Sequence, residues 1–371
     1  MAFRIEKDSL GEVKVPAEVY YGVQTQRAVD NFLISGRTLP AEMVWACAMI
    51  KKAAAIVHAE LGLLDKKMAE AIGSAADRII AGELADNFVV DIYQAGAGTS
   101  FHMNVNEVIA NLAIESLGGK KGDYKILSPN DHVNMAQSTN DVVPTCIRLA
   151  CLRVSGGLTA ALGELSQAFA AKADQFKDVI TTGRTHLQDA VPITVGQEFG
   201  GWAQVTRKLV RRLSTSFNRA GVLGIGGSAA GTGLNCHPEY QGRIVGALRQ
   251  LTGFDLSADP NLFAAMSSMD VFVDIAGRMK LAALELLKIS NDLRLLASGP
   301  TSGIWEILLP ALQPGSSIMP GKVNPVIPEM TAMACFQVIG NDTCVNYAAQ
   351  AGQLQLNVMM PVIAYNLIES A

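Results

Sequence analysis

The densest collection of polar groups in the chain is Gly315-Ser316-Ser317-Ile318-Met319-Pro320-Gly321-Lys322-Val323-Asn324-Pro325. It has the look of a phosphate-binding loop but fails the count. Such a loop needs Gly, four residues, then Gly-Lys and a hydroxyl residue. Here five residues separate Gly315 from Gly321, and Val323 follows the lysine. What remains is a glycine-bounded loop offering two hydroxyls, one ammonium and one amide. Those groups suit a small carboxylate: Lys322 for charge, and Asn324, Ser316 and Ser317 for directional hydrogen bonds. The plainer alternative is a linker between helices.

Three more polar loops stand before apolar helices. Gln94–Asn104 contains Gly96-Ala97-Gly98-Thr99-Ser100, and amides at the helix start that follows favour an anion. The same composition also serves as ordinary N-cap chemistry. Gln137-Ser138-Thr139-Asn140-Asp141 carries the same two readings. In Gly183-Arg184-Thr185-His186-Leu187-Gln188-Asp189, His186 is either an acid/base group or carboxylate ligand, or a hydrogen-bonded loop residue. Gly224–Ala229 spells a dinucleotide fingerprint with Ala last. The residues before it, Leu209–Arg219, read as a basic amphipathic helix and not as the strand that fingerprint needs. No two histidines stand at metal spacing, so no protein-built metal site is expected.

Long helices must position these loops. Apolar residues at Phe272, Ile275, Met279, Ala282, Leu286, Ile289, Leu293 and Leu296 step by three and four without a break. That seam is a helix roughly 37 Å long, stopped by Ser298-Gly299-Pro300, with Gly299 available for a left-handed cap. Pro144 is placed at the first helical position of a second helix running to Phe176, and Pro192 opens a third with Val195, Phe199, Trp202, Leu209, Leu213 and Phe217 on one stripe. Further helices are expected at Pro238–Leu251, 326–347 and 353–371, the last kinked at Pro361. Strand signals are sparse, with short pieces near Phe3–Leu10.

Apolar residues make up 49% and charged residues 17% of the 371, with a formal charge of −4. This excludes a basic nucleic-acid surface and a disordered chain. No run approaches ~18 uninterrupted apolar residues, so no membrane span is expected. Met1–Leu10, with Arg4, Glu6, Lys7 and Asp8, does not read as a signal peptide, and none is expected. Six scattered cysteines without a CxxC pair read as reduced thiols in the cytoplasm. So much apolar surface on long helices implies a mainly α, elongated bundle that oligomerises; the alternative is a monomer with a large internal core. The end, Leu367–Ala371, falls inside a helical pattern without a cap, so the chain reads as stopping within an element.

Together these segments resemble the fumarase/aspartase superfamily. The Gly315–Asn324 loop matches its signature, and the similarity runs from Tyr20-Tyr21-Gly22-Val23-Gln24-Thr25 to Leu356-Asn357-Val358. Gly96–Ser100, Gln137–Asp141 and Asn324-Pro325-Val326-Ile327-Pro328-Glu329 lean toward the ammonia-lyase branch acting on aspartate. The resemblance implies an N-terminal, mostly helical domain (1–139) and a central long-helix domain (140–371), with the family's small C-terminal helical domain absent from this chain. It implies a homotetramer with a shared helical core, and active sites drawn from three subunits. The reaction it implies is reversible elimination of ammonia from L-aspartate to give fumarate, through a C3 carbanion held as an aci-carboxylate. A class II fumarase acting on malate is the first alternative, and a non-catalytic, crystallin-like scaffold the second.

By the same resemblance Ser316 is the general base, its alkoxide stabilised by loop amides and Lys322. Thr99, Ser138, Thr139 and Ser317 bind the carboxylate that takes up charge. Lys322 and Asn324, with Thr185 of a neighbouring subunit, hold the other carboxylate. Asn140 and His186 receive the amino group, and Glu329 orients His186 as the corresponding acid does in fumarases, where the histidine handles water. Gln355 stands where relatives usually carry Glu, and His102 where they carry Asn. No organic cofactor or metal is implied.

Overall fold

The computed structural model describes residues 2–371. It opens with an antiparallel hairpin of β1 (Phe3–Asp8) and β2 (Gly11–Pro16), paired from Phe3↔Pro16 to Asp8↔Gly11. Four helices follow: α1 (Val23–Asn31), α2 (Ala41–Glu60), α3 (Lys66–Ile80) and α4 (Thr99–Ser116). Asp65 starts α3 by accepting the Lys67 and Met68 amides. α4 is buried all round from Ser100 to Ile114, as befits a helix at the centre of a layer.

Four long helices form the body. α5 (Thr139–Gln175) leads through the hairpin β3 (Ile180–Thr185)–β4 (Gln188–Thr194) into α6 (Val195–Asn218). The two run antiparallel: Ser166 Oγ donates to the Ala203 carbonyl at 2.9 Å, and Phe169 packs edge-on against Trp202. Short elements come next: β5 (Val222–Leu223), α7 (Tyr240–Thr252), β6 (Ser257–Ala258), parallel to β5, and α8 (Leu262–Ser267). α9 (Asp270–Leu296) and α10 (Val326–Gln350) make the second long hairpin, tied midway by Lys280–Asp342 at 2.6 Å, and α11 (Met360–Ser370) closes against α10 and α5.

One core joins α2, α3 and α4 to α5, α7, α9 and α11. A second, smaller cluster of Phe169, Phe199, Trp202, Ile289 and Leu296 sits where α5 and α9 end and α6 begins. Residues of the α9 seam from Phe272 to Ala282, with Ile289 and Leu296, are buried as the periodicity requires. Among the described residues α5 alone is, by length and composition, apolar enough to cross a bilayer. Its first third, Asp141–Cys151, is buried in the protein core instead.

Several helix boundaries differ from the sequence reading. α5 starts five residues before Pro144, because Ser138 caps it and Asp141 returns a hydrogen bond to the Ser138 amide. Pro144 therefore lies inside the helix. Pro192 does not open α6; it lies in β4 opposite Thr182, where a two-stranded hairpin has a free edge that tolerates a missing N–H. Thr194 and Gln197 form the capping box of α6 instead. Residues 353–359 are not helical, and Pro361 sits in the first turn of α11 without kinking it. Ala297, not Gly299, caps α9.

Candidate active site

The fold sorts the candidate residues into two groups at opposite ends of the long helices. At the start of α5, Ser138 accepts the Asn140 amide, Thr139 Oγ1 lies 3.0 Å from His102 Nδ1, and Asn140 Nδ2 donates to the Ala229 carbonyl at 2.8 Å. Thr99 begins α4 beside them. Its loop is held by the Ala97 amide, which donates to Val358 O at 2.9 Å. Gly98 has φ +89, and a Cβ there would meet the Val143 side chain at 3.2 Å. Glycine at this point lets the Thr99 loop lie directly on α5.

Asp141 anchors this end. Its carboxylate accepts the Ser138 amide at 2.9 Å and the Gly226 and Ser228 amides at 3.0 Å each. Burial pushes the carboxyl up to about 6, against those three donors, which favour the charged form. The Gly224–Ala229 run is thus a backbone clamp on an aspartate, not a nucleotide loop. The Tyr20–Thr25 motif works the same way: the Gly22, Gln24 and Thr25 amides and the Thr25 hydroxyl all donate to buried Glu107. Its carboxyl is raised to about 7 by burial against these donors.

The other group lies at the far end. Thr185 and His186 sit on the exposed tip of the β3–β4 hairpin. His186 and Leu187 both have positive φ, 56° and 60°, between the paired Thr185 and Gln188. This is a two-residue turn of the mirror type, usually Asn-Gly, and neither His nor Leu is chosen for turn propensity. The 297–325 connection packs beside the hairpin through Glu306, which takes Arg184 in two hydrogen bonds of 2.8 and 3.0 Å and also accepts from Thr181. Arg184 holds the Glu306 carboxyl below its usual value.

Within that connection Ser316 Oγ accepts the Met319 amide at 2.9 Å and the Ile318 amide at 3.2 Å. The Gly315 amide donates to Lys322 O at 2.7 Å, and Asn324 Nδ2 donates to Gly315 O at 2.7 Å, closing the loop on itself. A Cβ at Gly315 would lie 2.8 Å from the Asn324 nitrogen, so only glycine fits. Ser317 and Lys322 are exposed. Lys322 and Asn324 line an open cleft with Arg294, Leu295, Trp305 and Leu308 at the end of α9. Glu329 stands in the first turn of α10, and no hydrogen bond joins it to His186 within this chain among the described residues.

The separation is large. Thirty-seven residues of α5 span about 55 Å, with Thr139 at one end and the hairpin and Ser316 loop at the other. One chain therefore does not bring all the candidates into a single pocket. Two residues outside the candidate set stand against the first group: Lys51, fully buried in α2, and His102. A lysine inside the apolar run Met43–Val57 was the available signal. Among the described residues no three His, Cys, Asp or Glu side chains gather as a cation site.

A family model described as Lyase matches residues 11–340. An aspartate ammonia-lyase of Pseudomonas aeruginosa is 52% identical over 376 residues, covering 99% of this chain and 78% of that protein. A class II fumarate hydratase of Xylella fastidiosa is 49% identical over 370 residues, 100% of this chain and 77% of that protein. The crystal structure of a fumarate lyase:delta crystallin from Brucella melitensis bound to cobalt superposes with a TM-score of 0.97 at 50% identity, covering 100% of this chain and 81% of that one. The chain belongs to the fumarase/aspartase superfamily of lyases.

Proposed function

We propose that this enzyme eliminates ammonia from L-aspartate to give fumarate, and runs the reverse addition. The observation that carries this reading is the Ser316 oxygen, which already accepts two backbone amides in a loop that also carries Lys322. A neutral hydroxyl is a poor base; one whose alkoxide is met by amides and an ammonium is a usable one. The proton to be removed sits beside a carboxylate that must take a second negative charge. Each well-aimed donor is worth about 3–4 kcal/mol to such a species, so several must converge: Thr99, Ser138, Thr139 and Ser317 on the charge-accepting carboxylate, Lys322, Asn324 and Thr185 on the other. Asn140 and His186 take the leaving amine, with Glu329 behind His186.

These groups lie toward opposite ends of α5, a helix of 37 residues and about 55 Å, so the complete site needs further copies. In this reading three subunits of a homotetramer meet at each site. Residues 1–139 bring Thr99, Ser138 and Thr139, and residues 140–371 the long-helix core and the other groups. Exposed apolar residues on α10 support the assembly: Met333 is 65% exposed, Phe336 63% and Tyr347 69%. Free cysteines among the described residues, three of them in the first core, support the cytoplasm as its compartment.

A second reading, hydration of fumarate to malate, draws support from His186 and from the 49% identity to the Xylella fumarate hydratase. Fumarate absorbance with L-aspartate or L-malate as sole substrate separates them. Fast turnover of aspartate and none of malate supports the first reading; the converse supports the second. Turnover of neither overturns both.

A further inference from the structure

The Lys51 ammonium, although fully buried, meets no carboxylate. Its three hydrogen-bond partners are His102 Nε2 at 2.6 Å, Asn134 Oδ1 at 2.9 Å and Gln137 Oε1 at 2.8 Å. The two amides are fixed from their other ends. Gln137 Nε2 donates to the Val133 and Met135 carbonyls, and Asn134 Nδ2 to the Gln137 carbonyl. Only their oxygens face the lysine. Three N–H bonds on three acceptors use every proton of the ammonium.

His102 Nε2 is therefore an acceptor, and the ring proton of a neutral imidazole must sit on Nδ1. Burial, and then the Lys51 charge, hold this histidine well below its ordinary pKa and so keep it neutral. Nδ1 faces Thr139 Oγ1 at 3.0 Å. The threonine oxygen accepts a hydrogen bond from that N–H, and its own hydrogen is free to point away from the core.

We propose that Lys51 and His102 are positioning residues: a buried relay, Lys51 to His102 to Thr139, commits the Thr139 hydroxyl to donate toward a substrate carboxylate. The relay rests on the reading of Thr139 as a substrate contact given above. It converts a hydroxyl that otherwise donates or accepts into a fixed donor, which is what a carboxylate gaining charge requires.

The test has two arms. Nitrogen NMR of the whole protein, labelled with 15N at histidine and without ligand, reads the tautomer. The His102 signals are assigned by their loss in His102→Gln. A protonated Nδ1 with an unprotonated Nε2 is expected; a protonated Nε2, or an imidazolium, overturns the relay whatever the activity. The second arm is kinetic. His102→Gln keeps an amide oxygen for Lys51 and an amide N–H for Thr139, whereas His102→Leu keeps neither. His102→Leu is expected to lower kcat about tenfold with KM changed about twofold at most, because the donor it releases serves the carboxylate as it gains charge, and His102→Gln to recover most of that loss. An unchanged kcat in folded His102→Leu, or a Gln variant no better than the Leu variant, overturns the role. A wild-type protein inactive on L-aspartate and L-malate sinks the reading of the site and the role in kcat together. The nitrogen spectrum needs no functional variant and still decides the relay.

Discussion

Arg184 holds Glu306 with both arms of its guanidinium, at 2.8 and 3.0 Å. This pair ties the hairpin that presents Thr185 and His186 to the connection that carries Ser316. Planar two-point contacts of this kind fix orientation as well as proximity. Glu306→Gln is expected to lower kcat/KM about tenfold while leaving the melting temperature within a few degrees, since the pair is partly solvated. The sign in pH follows from the lowered Glu306 carboxyl. Its contribution is present above the ordinary carboxyl value of 4.5 and is lost as pH falls through its lower folded value. Steady-state kinetics and thermal melts of wild type and Glu306→Gln check both statements.

Ser316→Ala removes the proposed base without enlarging the side chain. Turnover is expected to fall at least about a thousandfold, while binding of a dicarboxylate measured by calorimetry changes little. A variant that keeps a tenth of the wild-type rate contradicts the assignment.

Asp141 carries the N-terminus of α5 and the Gly226–Ser228 turn on one carboxylate. Asp141→Asn turns an N–H group toward amides that need an acceptor. A loss of about 2–4 kcal/mol is expected in urea unfolding.

Lys51 is lowered by burial to about 8. Around it stand Cys47 on α2, Cys146 and Asp141 on α5, and His102 on α4. Its charged form supplies the third N–H, the one that His102 Nε2 accepts, so kcat for L-aspartate is expected to fall as pH climbs through about 8. A profile of kcat against pH in wild type and in Lys51→Met, which lacks that limb, is the check.

The α9 seam and the α6 stripe were readable in the sequence because burial on one face writes a period of three and four. The polar loops were readable because chemistry demands residue types that packing does not. The β3–β4 hairpin was missed: its turn is His186-Leu187, not Asn-Gly, and Pro192 reads as a helix start when it is an edge residue. Asp141, Glu107 and Lys51 were missed for another reason. Their distant partners lie 85–87, 82–85 and 51–86 residues away in sequence, and although Lys51 interrupts an apolar run, no local pattern tells which groups of another element will meet a buried charge. The division of the site between two ends of α5 was likewise invisible until the helix directions were known.

That division gives the most direct test. Thr139→Val and Ser316→Ala, each nearly inactive alone, damage residues at opposite ends of one chain. Mixed as equal amounts of dissociated subunits and reassembled, they are expected to recover about a quarter of the wild-type rate, because that share of sites draws both groups from undamaged copies. Mixtures shown to have exchanged subunits, yet no more active than their parents, would contradict a site built between chains.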